Sequence, residues 1–186
     1  MHEDWIERID RNTSLFKENF EGLSYKELNW KPTDDSWSIG QIIEHIILIN
    51  ESYFEVFDKL KTGSLKVPFT ARFQSVNSFF LKILSQATEP SRQKKMKTMN
   101  PWNPSKKEVP KEIFSRFSLN QEILKEYVNS LEGYIKDKSI IYSPMFRGIT
   151  FPVDEFIEEL VNHELRHFNQ AKEVLGKLNK SNSQTV

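Results

Sequence analysis

Three histidines carry the strongest chemical signal in this sequence of 186 residues. His163 and His167 are four residues apart, so on a helix both rings project from the same face. His45 lies between Ile42 and Ile46, on the apolar face of an earlier segment with helical spacing. A buried imidazole needs partners for both ring nitrogens, and apolar neighbours supply few. Because a shared divalent cation would satisfy all three rings, the spacing predicts a metal site.

The alternative interpretation of His45 is an ordinary core residue. A single histidine on an apolar face is usually bonded to a carbonyl or a water, and for His45 taken alone this interpretation is the better one. The spacing of His163 and His167, in contrast, suits two-point clamping of a metal ion. The fourth histidine of the chain, His2, lies beside the N-terminus. Taken together, the three internal histidines favour a metal site.

The chemistry of such a site follows from its donors. Three neutral imidazoles leave a fourth coordination position open, which is typical of catalytic zinc sites. The uncompensated charge of the ion favours an anionic ligand, lowers the pKa of a bound water to about 7, and holds a bound thiol as the thiolate. We expect one divalent transition metal ion, zinc or nickel first, with iron, manganese or copper as alternatives.

The run from His163 to His167 also fits the H-E-x-x-H pattern of zinc proteases, in which the glutamate is the general base. The extended form of that pattern needs a glycine where Gln170 stands and a histidine where Glu173 stands. On a continuous helix Glu173 points about 240° away from His167. With His45 as the better third ligand, a protease is disfavoured. We interpret Glu164 as a solvated helix residue, with a catalytic base as the alternative.

Apolar residues at three- and four-residue steps predict that helices carry the histidines. The long amphipathic segments cover residues 6–23, 38–60, 110–134 and 152–178. Asp4 with Glu7 is a candidate cap for the first helix. Ser38 with Gln41 forms a capping box for the second, and Gly63 is a suitable end for it. Four such helices in one chain indicate an all-α fold, a four-helix bundle.

The remaining segments complete this bundle as one domain. A short extra helix is predicted over residues 69–83, and its four phenylalanines are expected in the core. Residues 86–110 contain four of the eight prolines and are predicted to form a long loop. Short stretches such as 140–142 are too few to build a sheet. We expect one domain over residues 1–178 and a flexible C-terminal tail over 179–186.

The composition excludes several classes of protein. With 26 basic and 26 acidic side chains, the chain has no net charge that would favour a nucleic acid or an anionic membrane surface. The longest apolar run, Ile46–Ile49, is far shorter than the roughly 20 residues that span a bilayer. Without cysteine there is no disulfide, thiolate ligand or cysteine nucleophile. The N-terminal residues lack the pattern of a secretion signal, so we expect a cytoplasmic protein.

Three segments of the sequence share features with a known family. They are Trp30-Lys31-Pro32, the run Trp37-Ser38-Ile39-Gly40-Gln41-Ile42-Ile43-Glu44-His45, and the pair His163 and His167 followed by Gln170. In this order they resemble the DinB-like superfamily of DinB and YfiT-type proteins, and the resemblance covers nearly the whole chain. It implies a four-helix bundle that holds a divalent metal by His45, His163 and His167.

The resemblance also implies an activity. The superfamily includes S-transferases that use bacillithiol, mycothiol or glutathione, so our first hypothesis is a metal-dependent, bacillithiol-type transferase. Its partners would be a small-molecule thiol and an electrophilic substrate. The alternatives are a metal-dependent hydrolase with the same ligands, a non-catalytic module that binds metal or a small ligand, and a purely structural metal site. Dimers are common in the superfamily, so the resemblance allows a homodimer.

Two further polar side chains are candidates for supporting roles. Gln170, about one turn past the histidine pair, can orient a bound water or substrate, and ordinary polar packing is an equal alternative. Asn120 interrupts the apolar face of the third helix. It can hydrogen-bond a ligating histidine, but a core amide is the preferred interpretation. The basic residues of 92–97, with Lys106 and Lys107, can guide an anionic thiol, although a solvated charge run is the preferred explanation.

Overall fold

The computed structural model describes residues 2–89 and 101–184. Its helices are α1 (His2–Phe20), α2 (Tyr25–Asn29), α3 (Ile39–Lys61), α4 (Gln74–Thr88), α5 (Ile113–Ser130), α6 (Glu132–Lys136) and α7 (Val153–Ser183). A 3₁₀ turn covers Phe69–Arg72, and two short strands are β1 (Ile140–Tyr142) and β2 (Thr150–Pro152).

The four long helices α1, α3, α5 and α7 pack together as a bundle. Helices α1 and α3 each lie against both α5 and α7, while α4 packs on the outside against α7 and β2. This arrangement confirms the predicted all-α bundle. Besides the one extra helix that was expected, α4, the chain also forms the short helices α2 and α6. Within the described part of the chain, none of the helices has the length and apolar character needed to cross a bilayer.

The apolar faces of the long helices form two core clusters. The first includes Trp5, Phe57 and Phe156, and the second includes Phe16, Phe117 and Phe168. At the boundary between them each long helix contributes a buried polar side chain. We call this set the polar layer; its members are Asn12 on α1, Asn50 on α3, Asn120 and Gln121 on α5, and Glu164 on α7.

Helix ends agree with the expected chemistry at α3 but not at α1. The Ser38 hydroxyl accepts from the Gln41 amide, and the Gln41 side chain accepts from the Ser38 amide, both at 3.2 Å, which confirms the capping box. Gly63 has a φ of +67°, the left-handed conformation that favours glycine after a helix. The cap expected from Asp4 and Glu7 is wrong, because α1 already begins at His2.

The expectation that the phenylalanines of 69–80 lie in the core is wrong for those with described side chains. Phe69, Phe73 and Phe79 are 68%, 49% and 61% exposed. The side chain of Phe80 and the basic residues of 92–97 lie outside the described residues. Helix α4 reaches Thr88, so it occupies the start of the predicted loop, whereas residues 101–110 form no helix or strand.

Two details near the last helix differ from the prediction. Residues 140–142 do pair, because β1 and β2 form an antiparallel two-stranded ribbon in which Ile141 lies opposite Phe151. The ribbon leads directly into α7, and the Val153 amide donates to the Ser139 carbonyl at 2.9 Å. Helix α7 continues to Ser183, so residues 179–183 extend the helix beyond its predicted end at 178.

Candidate metal centre

The three predicted histidines meet between α3 and α7. His45 lies on the buried face of α3, while His163 and His167 lie one turn apart on α7. The Nε2 atoms of His163 and His167 are 2.9 Å apart, and the candidate ligand atoms of all three rings lie within 4.8 Å of one another. The structure therefore brings together side chains that are more than 100 residues apart in the sequence.

Hydrogen bonds define which nitrogen each ring presents to the centre. The His45 Nδ1–H donates to the Trp102 carbonyl oxygen at 2.6 Å, because a carbonyl can only accept, and this leaves Nε2 of His45 unprotonated. The His167 Nδ1–H donates to Oε1 of Gln170 at 2.9 Å. The unprotonated Nε2 of His167 then accepts from Nε2–H of His163. Two of the three rings are thus oriented by a partner on their outer nitrogen, as metal-ligating histidines usually are.

The donor set fits a transition metal ion. Two nitrogens bound to zinc at about 2.0–2.1 Å with a tetrahedral angle are about 3.4 Å apart, close to the 2.9 Å between the α7 rings. Nδ1 of His163 is buried and has no hydrogen-bond partner among the described residues. Among the described residues this ring therefore lacks the outer partner that the rings of His45 and His167 have. The histidine triad is positioned to hold a metal ion.

Burial keeps the triad in the neutral form that binds metal. Desolvation lowers the pKa of His45 to about 4, although the bond to the Trp102 carbonyl opposes the shift and the charge of Arg166 adds to it. Burial, followed by the neighbouring rings and Arg166, also lowers the pKa of His163 and of His167 well below the usual value. Protons therefore do not compete with a metal ion for these nitrogens near pH 7.

Aromatic and amide side chains surround the triad. The Trp37 ring is partly exposed, and its centroid lies 4.8 Å from that of His45 and 6.3 Å from that of His167. Gln170 contacts His167 directly, and its role in orienting a bound water or substrate stays a prediction. Asn120 accepts from Asn50 at 2.8 Å, in agreement with the preferred interpretation as a core amide.

Glu164 is not a solvated helix residue, and that interpretation was wrong. Its side chain is fully buried, and Oε1 accepts from Gln121 at 2.8 Å and from Asn50 at 3.1 Å. Burial raises the pKa of Glu164, and the hydrogen bonds from Gln121 and Asn50 are the largest influences that oppose the rise. The Asn12 amide donates to the Val161 carbonyl at 3.2 Å. Glu164 Oε2 and Gln121 Oε1 are both buried without a hydrogen-bond partner among the described residues. Catalysis by Glu164 stays a prediction.

Sequence reasoning missed Trp102, Asn50 and Gln121 as neighbours of the site. Trp102 lies in a segment predicted only as loop, and its contact to His45 is made by a backbone carbonyl, which leaves no signature in side-chain type. Asn50 gave a weak signal, because it is a polar residue close to the apolar face of α3. Glu173 is exposed on an uninterrupted helix, so it does not reach the triad.

The fold and the site together define a helical bundle in which two facing helices position a histidine triad to hold a metal ion. Residues 8–171 match the DinB superfamily, and the chain therefore belongs to this superfamily. The chain is similar to the uncharacterised protein YuaE of Bacillus subtilis (strain 168). The two are 23% identical over 166 residues, which cover 86% of this chain and 90% of YuaE. No solved structure gives a significant match.

Proposed function

We propose that this protein binds one divalent transition metal ion through His45, His163 and His167 and activates a low-molecular-weight thiol of the bacillithiol type. The thiol would be transferred to an electrophilic small molecule. The observation that supports this proposal is the convergence of three neutral imidazoles on one point, with the α7 nitrogens 2.9 Å apart. Zinc or nickel is the preferred ion for such nitrogen ligands.

The chain's own residues contribute orientation and charge. The bound ion, uncompensated by three neutral ligands, would favour the thiolate over the thiol. Burial of the imidazoles keeps them neutral, and Arg166 adds positive charge near all three rings. This combination favours an anionic ligand such as a thiolate. The thiol proton leaves to solvent, the sulfur forms a bond to the electrophilic carbon, and the leaving group departs with its electron pair.

Two side chains are suited to shaping the substrate position. Trp37 offers a partly exposed apolar surface next to His45 and His167. Gln170 is held by His167 at its Oε1, which leaves its amide N–H groups as donors toward a ligand. We therefore propose Gln170 as a residue that orients the substrate or a bound water. A homodimer belongs to the same proposal only through the superfamily resemblance.

Elemental analysis of the purified protein tests the metal site. The wild type is compared with a double variant, His163→Ala with His167→Ala, and with His2→Ala as the matched control outside the triad. We expect one transition metal ion per chain in the wild type and in His2→Ala, and none in the double variant. A wild type that holds no metal even after reconstitution would overturn the proposal.

Cobalt or nickel substitution tests the role of the thiol. Addition of a thiol to the substituted protein should produce a sulfur-to-metal charge-transfer band if a coordination position is open. Turnover is then measured on a panel of electrophiles and, for the hydrolase alternative, on a panel of esters and amides. Thiol binding without turnover on either panel would favour a non-catalytic binding module. A structural site would give no band, and removal of its metal would unfold the domain.

A further inference from the structure

Residues 102–109 run alongside α3 and are tied to it and to the end of α2 by hydrogen bonds. We call this segment the strap. At one end the Trp102 carbonyl accepts from His45, and the Trp102 indole N–H donates to Ser52 Oγ at 3.0 Å. The Trp102 ring also stacks on Tyr53, with centroids 6.4 Å apart and planes at 22°. Trp102 thus contacts α3 at His45 and again about two turns further along, at Ser52 and Tyr53.

The middle and far end of the strap are fastened as well. The Ser105 carbonyl accepts from Gln41 at 2.6 Å, and the Ser105 amide donates to Glu44 at 2.7 Å. Val109 exchanges two hydrogen bonds with the side chain of Asn29, at 2.7 and 2.9 Å. The Ser105 bonds engage α3 on the N-terminal side of His45, and the Val109 bonds engage Asn29 at the end of α2. The strap therefore cannot slide along α3 without breaking several of them.

We propose that the strap is a positioning device for the metal centre: the Trp102 carbonyl holds His45 in its Nδ1–H tautomer, so that Nε2 faces His163 and His167. A neutral imidazole has two tautomers, and only one leaves Nε2 free as a ligand. Burial of His45 removes water as an alternative partner for Nδ1. The Trp102 carbonyl therefore sets both the tautomer and the rotation of the ring. Trp102 is a positioning residue and not a metal ligand.

This inference rests on the proposed function, because the strap would orient His45 toward a bound metal ion. Its first test, however, needs no metal. Nitrogen NMR of the metal-free protein distinguishes the two tautomers of each histidine, and the His45 signals are assigned by their loss in His45→Gln. The wild type should show His45 as the Nδ1–H form. In Trp102→Ala the strap loses its indole bond and its stacking, and we expect a mixture of both tautomers.

Cobalt affinity provides the second readout, measured by competition with a chelator. Loss of an outer partner of a ligating histidine typically weakens metal binding about 10- to 100-fold, and we expect a loss in this range for Trp102→Ala. Ser52→Ala removes the acceptor of the Trp102 indole N–H and keeps the stacking of Trp102 on Tyr53. Trp102→Phe removes the indole N–H and keeps an aromatic ring beside Tyr53. They should weaken binding only several-fold and to a similar extent, and they keep the test open if Trp102→Ala does not fold.

Tyr134→Ala is the matched control. Tyr134 is partly buried against the same apolar cluster as Trp102, and its hydroxyl donates to the Lys61 carbonyl at the far end of α3. This variant should lower stability while leaving cobalt affinity and the His45 tautomer unchanged. The proposal is overturned if folded strap variants keep wild-type affinity and a pure Nδ1–H form, or if Tyr134→Ala weakens binding equally. If the wild type binds no metal, but Trp102→Ala still shows the mixture of tautomers, the proposed function alone would be overturned.

Discussion

Replacement of Glu164 by glutamine is the most informative single change in the bundle core. Glu164 is fully buried, and its Oε1 already accepts from Asn50 and Gln121. A glutamine in the same position keeps an oxygen for both donors. It also places an N–H group where Oε2 has no partner, facing a polar layer in which Gln121 Oε1 is an unsatisfied acceptor. We therefore expect Glu164→Gln to fold and to be at least as stable as the wild type.

The magnitude follows from the atoms concerned. Leaving a buried polar atom without a partner costs about 1–3 kcal/mol, and the raised pKa of Glu164 shows that burial also penalises its charged form. For a chain of this size a gain of about 1–3 kcal/mol corresponds to a rise in Tm of about 2–12 °C. Urea and thermal unfolding of the metal-free protein measure the change without a contribution from bound ion.

Glu158→Gln, six residues earlier on α7 and partly exposed to solvent, is the matched control with the opposite sign. The Glu158 carboxylate accepts from Arg8 at 2.7 and 3.0 Å and from Trp5 at 2.8 Å. The Arg8 hydrogen bond holds the pKa of Glu158 below its usual value. With 42% of the side chain exposed, solvent screening limits the expected loss to about 1 kcal/mol or less.

The pH dependence of the control has a definite sign. Because the pKa of Glu158 is lowered in the folded state, its contribution is present above the ordinary carboxyl pKa of about 4.3 and is lost as the pH falls through the folded value. The stability difference between wild type and Glu158→Gln should therefore be full at pH 7 and vanish in acid. A difference that grows in acid would contradict this assignment.

The reasoning about Glu164 is refuted if Glu164→Gln loses more than about 1 kcal/mol while Glu158→Gln does not. Such a result would mean that the charge of Glu164 itself stabilises the core. The same variant tests the catalytic-base candidate. Retained metal and stability with lost turnover would support a base, whereas retained turnover would leave Glu164 with a purely structural role in the polar layer.

Three further predictions concern packing and helix ends, and each is measured by urea unfolding. The Phe16 ring is fully buried and contacts other aromatic rings, so Phe16→Ala should lower the free energy of unfolding by about 3–5 kcal/mol. Phe79 is 61% exposed, so Phe79→Ala should change the free energy of unfolding by less than about 0.5 kcal/mol. Gly40→Ala should cost about 1–3 kcal/mol, because a Cβ there would lie 3.0 Å from Cβ of Val109. Ser38→Ala should cost about 1 kcal/mol through loss of the α3 cap. Equal effects of the two phenylalanine variants, or no effect of the other two, would contradict the packing described.

The place of each histidine on a core face was predictable because that signal is local and periodic, whereas the meeting of His45 with the α7 pair rested on the argument about buried imidazoles and on the family resemblance. The four-residue step from His163 to His167 defines one helix face, and His45 occupies a core position of another helix. The capping box at Ser38 was readable for the same reason, since its partners are three residues apart. Features with a short sequence range and a strong periodicity therefore transferred from sequence to structure.

Features that depend on contacts with residues far away in the chain could not be predicted from the sequence. Periodicity showed that Phe69 and Phe73 belong to one apolar segment, but not whether another element covers them, and both are exposed. The polar type of Glu164 predicted that its side chain is exposed to solvent. Its donors Asn50 and Gln121 lie on other helices, far away in the chain, so nothing in the local sequence indicated that it is buried. The Trp102 carbonyl was invisible because backbone atoms are common to all residues.

The hydrogen bond between His163 and His167 bears on the stability of the metal-free protein. A small zinc-finger domain unfolds when its ion is removed, because coordination supplies much of its folding free energy. Here two apolar clusters hold the bundle, and the two α7 rings bind each other across 2.9 Å. An ion that binds the proposed site would replace the hydrogen bond between His163 and His167 by coordination bonds. The fold itself would not depend on that ion. We therefore expect the polypeptide to stay folded when the proposed site holds no ion, so that the same chain can be loaded with metal again.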